Sequence, residues 1–300
     1  LAEEIDVLCA GFACHDLIFS VERHPGPDEK TFARQLFDCG GGPAANAAYA
    51  AARLGASCAF AGYLGDDLYG RNHLEEMAQT GIRTDLVVTG DAPTPLSVIL
   101  VKPDGRRTVI NYNRSAAPLA ADAIDTGAFL PGVILFDGHQ PQISLKLVDF
   151  AQRHQIPTVL DAGSRHAGTE VLVGRVDYVV ASEVFASQIS GQADAAMAAR
   201  KLHRPGTAVV VTLGAEGLVW RTDAAHGHLA AFEIDAVDTT GAGDAFHGAF
   251  ATGLARGLPW DSLLRYASAA AALCCCEFGA RLGMPDHRAV NNFIQYSDKG

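Results

Sequence analysis

The chain has 300 residues, 49% of them hydrophobic, long enough for one or two domains around a sizeable core. Its 34 acidic side chains outnumber 23 basic ones for a net charge of -11, which excludes the broad basic face a nucleic-acid binder needs against phosphate. No apolar run reaches the roughly 18 residues of a membrane-spanning helix. The opening LAEEIDVLCAG is acidic and lacks the basic region of a signal peptide, and Leu1 in place of Met reads as a start inside a longer open reading frame. Cys9, Cys14, Cys39, Cys58 and the run Cys274-Cys275-Cys276 form no CxxC pair and no zinc spacing with histidine. The run of three, in an Ala-rich helix, reads as small core residues, and the set as a whole suits the reducing cytoplasm.

In chain order, short apolar runs rich in β-branched residues predict strands at IDVLCAG (5–11), CAFAGYL (58–64), GVILFDG (132–138), PTVLDAG (157–163), VDYVVAS (176–182) and AVVVTLG (208–214). Each is nearly continuous in apolar residues, the pattern of a strand covered on both faces. Helical stretches lie between most of them: PAANAAYAAARLG (43–55), RNHLEEMAQTG (71–81), ISLKLVDFAQRH (143–154) and ADAAMAARKLH (193–203). This alternation predicts an α/β fold, a doubly wound and mostly parallel sheet with helices on both faces. Two polar, strand-like segments break it. Residues 12–39 carry Pro25 and Pro27, and residues 95–112 read as a hairpin closing at Pro103-Asp104-Gly105. Both are expected to leave the main sheet and pair as a small β lid within one domain spanning 1–300.

The sequence concentrates glycine at two places. In AVDTTGAGDAFHGAFATGLARG (236–257), AFEIDAVD (231–238) looks like a strand, and Phe246, Ala249, Phe250, Gly253 and Leu254 fall at helical spacing, so a helix begins near Gly241 to Asp244. A helix start offers free N–H groups and about half a positive charge. Glycines there admit a phosphate close to the backbone. One reading is a Gly-rich turn with Asp244 favoured by the helix dipole. The other puts an anion at Gly241-Ala242-Gly243 and makes Asp244 the acceptor of a hydroxyl proton. The residues alone leave both open.

The second place is CGGGPAANAAYAAARLGA (39–56), where Pro43 suits a first helical turn. It reads either as a tight entry into an Ala-rich core helix or, through Gly40-x-Gly42-x-x-Ala45, as a dinucleotide loop. The second reading predicts NAD binding, but the motif does not follow the first strand directly. No GxxxxGK[ST] P-loop is present.

DTTGAGDAFHGAF (238–250) resembles the C-terminal signature of the PfkB, ribokinase-like family of carbohydrate kinases. The Gly40 region together with GDDLYG (65–70) resembles its N-terminal signature, and the two span the chain. The resemblance implies a ribokinase-like fold and transfer of the γ-phosphoryl of Mg-ATP to a sugar hydroxyl. Asp244 would be the base, and Gly241, Ala242 and Gly243 the anion hole. It implies sugar contacts from Asp16, Gly41, Gly42 and Asn46, and nucleotide contacts from Thr212, Gly214 and Gly217, the last mainly as turn geometry. It also implies a K+ or similar site at Asp238, Thr240 and Gly279.

Without the family, Asn46 would be an exposed polar residue on a helix. Ser182 and Phe185 stand where many members carry the Asn and Glu of N-x-x-E; Ser182 keeps a phosphate-side hydroxyl and Glu183 is a substitute for the lost acid. Through GGGPAA, INYNRS and GARLGMPD the chain looks closest to the sulfofructose kinase branch, in which Lys30, Asn111 and the His139 position hold the anionic end of the sugar. Histidine there in place of arginine gives at most a pH-dependent charge. Expected partners are the sugar, ATP and a second copy through the lids, with no nucleic acid and no membrane. The alternative is a catalytically silent sugar-binding protein of the same fold.

Overall fold

The computed structural model describes residues 2–112 and 118–297. Asn113, Arg114 and Ser115 of the INYNRS stretch lie outside the described residues. Among the described residues the main sheet has nine strands: β1 (Glu3–Gly11), β4 (Cys58–Gly65), β5 (Arg83–Gly90), β8 (Phe129–Phe136), β9 (Thr158–Ala162), β10 (Tyr178–Ser182), β11 (Ala208–Thr212), β12 (Leu218–Arg221) and β13 (His226–Leu229). Their order is β13-β12-β11-β10-β9-β8-β1-β4-β5. The seven from β11 to β5 run parallel, and β12 and β13 add an antiparallel edge.

The continuous apolar runs serve two cores at once. Val7 and Cys9 of β1, with Val133 and Leu135 of β8, face one cluster. Leu8, Ala10, Ile134 and Phe136 face the other. Helices α1 (Pro43–Arg53), α7 (Ala242–Ala255) and α8 (Trp260–Cys274) cover the first face. Helices α3 (Pro141–His154), α5 (Glu183–Ser190) and α6 (Ala195–Leu202) cover the second. Helices α2 (Leu68–Gln79), α4 (Ala167–Leu172) and α9 (His287–Ser297) complete the described α-helices.

The second sheet, order β3-β2-β6-β7, is the lid: β2 (Cys14–Ser20), β3 (Gln35–Gly41), β6 (Leu96–Val101) and β7 (Arg107–Tyr112). Only Phe12 and Ala13 separate β1 from β2, and only Gly42 separates β3 from α1. The lid is thus anchored at the point where strand order in the main sheet reverses, between β1 and β8. Open α/β sheets form their ligand crevice at such a point, beyond the carboxyl ends of the strands.

The structure corrects one expected strand. Residues 231–236, the body of AFEIDAVD, have no regular structure and line a cavity instead. Cys274 is fully buried as a core residue, whereas Cys275, just past the end of α8, also faces that cavity. Among the described residues no helix is long and apolar enough to cross a membrane.

Candidate active site

Helix α7 starts at Ala242, with Gly241 as its N-cap at φ 77. A Cβ on Gly241 would lie 2.4 Å from the Ala280 methyl, so this position needs glycine for backbone reasons. Gly243 differs. A Cβ there would meet nothing within 4 Å, so the fold does not demand glycine. The space in front of it belongs to two cavities. One, of about 510 Å³, is bounded by Thr212, Gly214 and Gly217 on one side and Phe232, Ile234 and Cys275 on the other, with Ala242 and Gly243 at its end. The second, about 190 Å³, joins Gly243 and Asp244 to Asp137, His139, Asp161 and Ser182. Thr212 and Gly243 line both.

Asp244, in the first turn of α7, accepts a hydrogen bond from Asn46 Nδ2 at 2.8 Å. Burial pushes its pKa up to about 7; the neighbouring Asp161 charge adds to the rise, while Asn46 and His247 oppose it. Asn46 is buried at 4% exposure, which corrects the expectation from the bare sequence of an exposed helix residue. Both ends of its amide are engaged, because Oδ1 accepts from Arg281 Nε at 3.0 Å.

Asp16 lies on the inner face of the lid. Backbone register sets Cys39, Asp16, Ser97 and Asn111 in one row across its four strands. Burial raises the Asp16 pKa, opposed by the Cys14 thiol at 3.2 Å, the Ser97 hydroxyl and the Arg281 charge. A Cβ on Gly41 would fall 2.2 Å from the Asp16 carboxylate, and one on Gly42 (φ 96) would meet the Phe12 carbonyl at 2.6 Å. The glycine pair therefore lets the strand-to-helix turn close against Asp16. Asn111 belongs to β7, all six residues of which are exposed. Lys30 is exposed in the loop between β2 and β3, with no described contact to either cavity.

His139 reaches the smaller cavity from beyond β8, its Nδ1 3.4 Å from Asp137. Burial alone would lower its pKa, but the Asp137 carboxylate outweighs that and raises it. Asp137 was missed in the sequence. It is buried, yet it accepts from the N–H groups of Phe12 (2.8 Å), Ala44 (3.1 Å) and His139 (2.9 Å), tying β1, α1 and β8 together. Against the cost of burial, His139 and these donors hold its pKa below the usual carboxylate value.

On the phosphate side, Ser182 caps α5: its Oγ accepts from Phe185 N at 3.0 Å and donates to Gly163 O at 2.9 Å. Phe185 is fully buried. Glu183 is exposed and lines neither cavity. The acid that does face this space is Asp161 of β9, also missed in the sequence; it accepts from Gly163 N at 3.0 Å and lies 3.2 Å from His247 Nδ1. Among the described residues no group of three or more His, Cys, Asp or Glu side chains could cage a metal. One carboxylate and one hydroxyl fit a magnesium ion held mainly by phosphate oxygens and water.

Gly214 (φ 60) and Gly217 (φ 89) shape the turn after β11. A Cβ on Gly217 would lie 2.0 Å from the Leu229 carbonyl, so Gly217 serves turn geometry. Asp238 is fully buried. It gathers Thr240 N (2.9 Å), Thr240 Oγ1 (2.7 Å) and Gly279 N (3.0 Å) around its carboxylate.

A helix start opening onto a long cavity, with a carboxylate at its first turn facing a second one, is the layout of a group-transfer enzyme acting between two substrates. Residues 4–287 match the family model described as pfkB family carbohydrate kinase, and the chain belongs to that family. It is therefore a carbohydrate kinase, a transferase. It is 29% identical over 297 residues to the ribokinase of Bacillus subtilis strain 168, covering 96% of this chain and 99% of that protein. The ribokinase of Thermotoga maritima superposes with a TM-score of 0.85 at 26% identity, covering 97% of this chain and 99% of that one. An Arabidopsis thaliana ribokinase complexed with ribose and ATP superposes with a TM-score of 0.82 at 25% identity, covering 98% and 99%.

Proposed function

We propose that the protein transfers the γ-phosphoryl group of ATP to a hydroxyl of a sugar held between the lid and the carboxyl ends of β1 and β8. The observation that carries this reading is the place of Asp244, at the helix start where the two cavities meet. In the reaction the sugar oxygen forms a bond to phosphorus, the bond to the ADP oxygen breaks, and Asp244 takes the hydroxyl proton. In this reading the helix start at Gly241, Ala242 and Gly243 would stabilise the charge on the transferred group as it develops, with Ala242 and Gly243 at the end of the larger cavity. Thr212, Gly214 and Gly217 border the nucleotide, with Phe232 and Ile234 against its base. Asp161 and Ser182, which line the smaller cavity, would hold Mg2+ arriving with the nucleotide, and the ion would supply neutralisation of phosphate charge. Asp16 and Asn111 on the lid row would hold sugar hydroxyls, and lid closure would exclude water.

The charge around the acceptor supports a neutral sugar over a sulfonated or phosphorylated one. Asp16, Asp137, Asp161 and Asp244 are all acidic. His139 faces Asp137, and Lys30 points into no described pocket contact. The buried Asp238 carboxylate, met by neutral donors, supports a monovalent cation beside the start of α7. The outer face of the lid exposes Leu36, Ile110 and Tyr112 on its edge strands β3 and β7. That supports a second copy as its cover, and the free thiols suit a cytoplasmic home.

The test is ADP release from Mg-ATP over a panel of neutral, phosphorylated and sulfonated sugars, with and without KCl, with Asp244→Asn in parallel. A neutral sugar is expected to stimulate turnover in the wild type and not in the variant. Sugar binding without ADP formation would overturn the reading.

A further inference from the structure

Arg281 lies in the turn after α8 and is 3% exposed. Arginine this deep in a protein needs partners for its fork of donors. Nη1 lies 2.8 Å from Glu76 Oε2, Nη2 lies 2.6 Å from His73 Nε2, and the guanidinium stacks 5.0 Å from the Tyr49 ring centre. The remaining donor, Nε, points at Asn46 Oδ1 at 3.0 Å. Glu76 also accepts from the Gly40 amide at 2.7 Å, so the cluster is tied to the strand that enters α1.

The donor and acceptor count fixes the Asn46 amide. A guanidinium can only donate, so the carbonyl end of Asn46 must face Arg281, and Nδ2 is left to face Asp244 Oδ2 at 2.8 Å. Reversing the amide would set N–H against N–H on one side and oxygen against carboxylate oxygen on the other. We propose that Arg281 is a positioning residue for phosphoryl transfer, locking Asn46 so that it donates to the carboxylate of Asp244. This rests on the reading of Asp244 as the base.

The titratable groups facing Arg281 are Glu76, His73 and, at longer range, Asp16, Cys14 and Cys39; those around Asp244 are Asp161, His247, Asp16 and Cys274, with Asn46 hydrogen-bonded to it. Burial, with the guanidinium charge, holds His73 well below its ordinary pKa, so it accepts from Nη2 as a neutral ring. Asp16 acts on each through charge alone, whereas Asn46 is the group hydrogen-bonded to both Arg281 and Asp244. Losing its donation removes an influence that favours the ionised form of Asp244, so the fraction of enzyme able to act as base falls at any given pH.

The experiment measures kcat against pH with saturating sugar and Mg-ATP for the wild type, Arg281→Met, Asn46→Ala and the double variant, with Asp244→Asn as reference. The acid limb of kcat is expected to move up by about one pH unit in Arg281→Met, an approximately tenfold loss at pH 6. Arg281→Met should then add no further shift in the Asn46→Ala background. Arg281→Met leaves the Glu76 carboxylate without its cation, so Arg281→Met with Glu76→Gln removes both charges together and serves if the single variant does not fold. An unmoved acid limb, with Asp244→Asn inactive, overturns the role of Arg281 and leaves the base intact. A shift of equal size in the Asn46→Ala background overturns it too. Turnover surviving in Asp244→Asn overturns both.

Discussion

Asn46 Nδ2 donates to Asp244 Oδ2 across 2.8 Å, joining the two Gly-rich segments of the chain although the residues are 198 positions apart. One comes from the first turns of α1 and the other from the first turn of α7, so the contact holds two helix starts at one point. It is also a contact on which the ionisation of Asp244 depends.

Burial and Asp161 push the Asp244 pKa up to about 7. A base must be unprotonated, so kcat is expected to fall below pH 7 and to level off above pH 8. The same shift has a stability consequence of opposite sense. The folded state binds this proton more tightly than the unfolded chain, so the stabilisation is full below the ordinary carboxylate pKa and lost as pH rises through about 7. Thermal melts should therefore show Asp244→Asn more stable than the wild type at pH 8, with the gap closing near pH 4. Equal melting temperatures at pH 8 would mean that Asp244 is not raised.

Gly241 and Gly243 should respond differently to alanine. At Gly241 a methyl meets Ala280 at 2.4 Å in a left-handed backbone, and a loss of about 1–3 kcal/mol is expected. At Gly243 nothing lies within 4 Å, so Gly243→Ala should melt as the wild type. If the methyl occupies the space of the transferred group, kcat/KM should drop by about a hundredfold or more. Paired melts and kinetics check both; a destabilised Gly243→Ala would give that glycine a folding role instead.

Much of this was legible locally. Continuous apolar runs predict the buried parallel strands because such strands must serve two cores, as Val7 and Leu8 do. The helix start at Gly241 is written in the glycines themselves. What escaped was made by distance. Asp137 draws its donors from Phe12 and Ala44, the latter 93 positions earlier, and Asn46 is buried by an arginine 235 positions later. No window of sequence contains either environment. The 231–236 segment has the apolar alternation of a strand, but its apolar side chains Phe232 and Ile234 face the long cavity. The edge strands β12 and β13 are four residues each, too short to carry the long apolar runs that marked the predicted strands.

Phe185 is fully buried, so glutamate there would not restore a phosphate-side acid. It would place a carboxylate in an apolar core and forfeit aromatic packing, a loss of at least about 3 kcal/mol. Phe185→Glu is expected to express poorly or melt far below the wild type. Asp161 faces the smaller cavity and is the acid to test. In Asp161→Asn the Mg2+ concentration for half-maximal rate should rise by about tenfold at saturating ATP. An unchanged Mg2+ response would remove Asp161 from metal orientation.

Gly41 and Asp16 offer a test of the lid. A methyl at Gly41 would fall 2.2 Å from the Asp16 carboxylate, so Gly41→Ala must push that side chain out of its row with Ser97 and Asn111. KM for the sugar is expected to rise at least about tenfold while KM for ATP holds. Asp16→Ala should raise the sugar KM as well, because it removes the same carboxylate. The two changes act through one group, so they should not add: in the Asp16→Ala background the methyl has no carboxylate to displace, and Gly41→Ala should cost little more. Additive effects would mean that Gly41 acts on the sugar through its own backbone rather than by making room for Asp16.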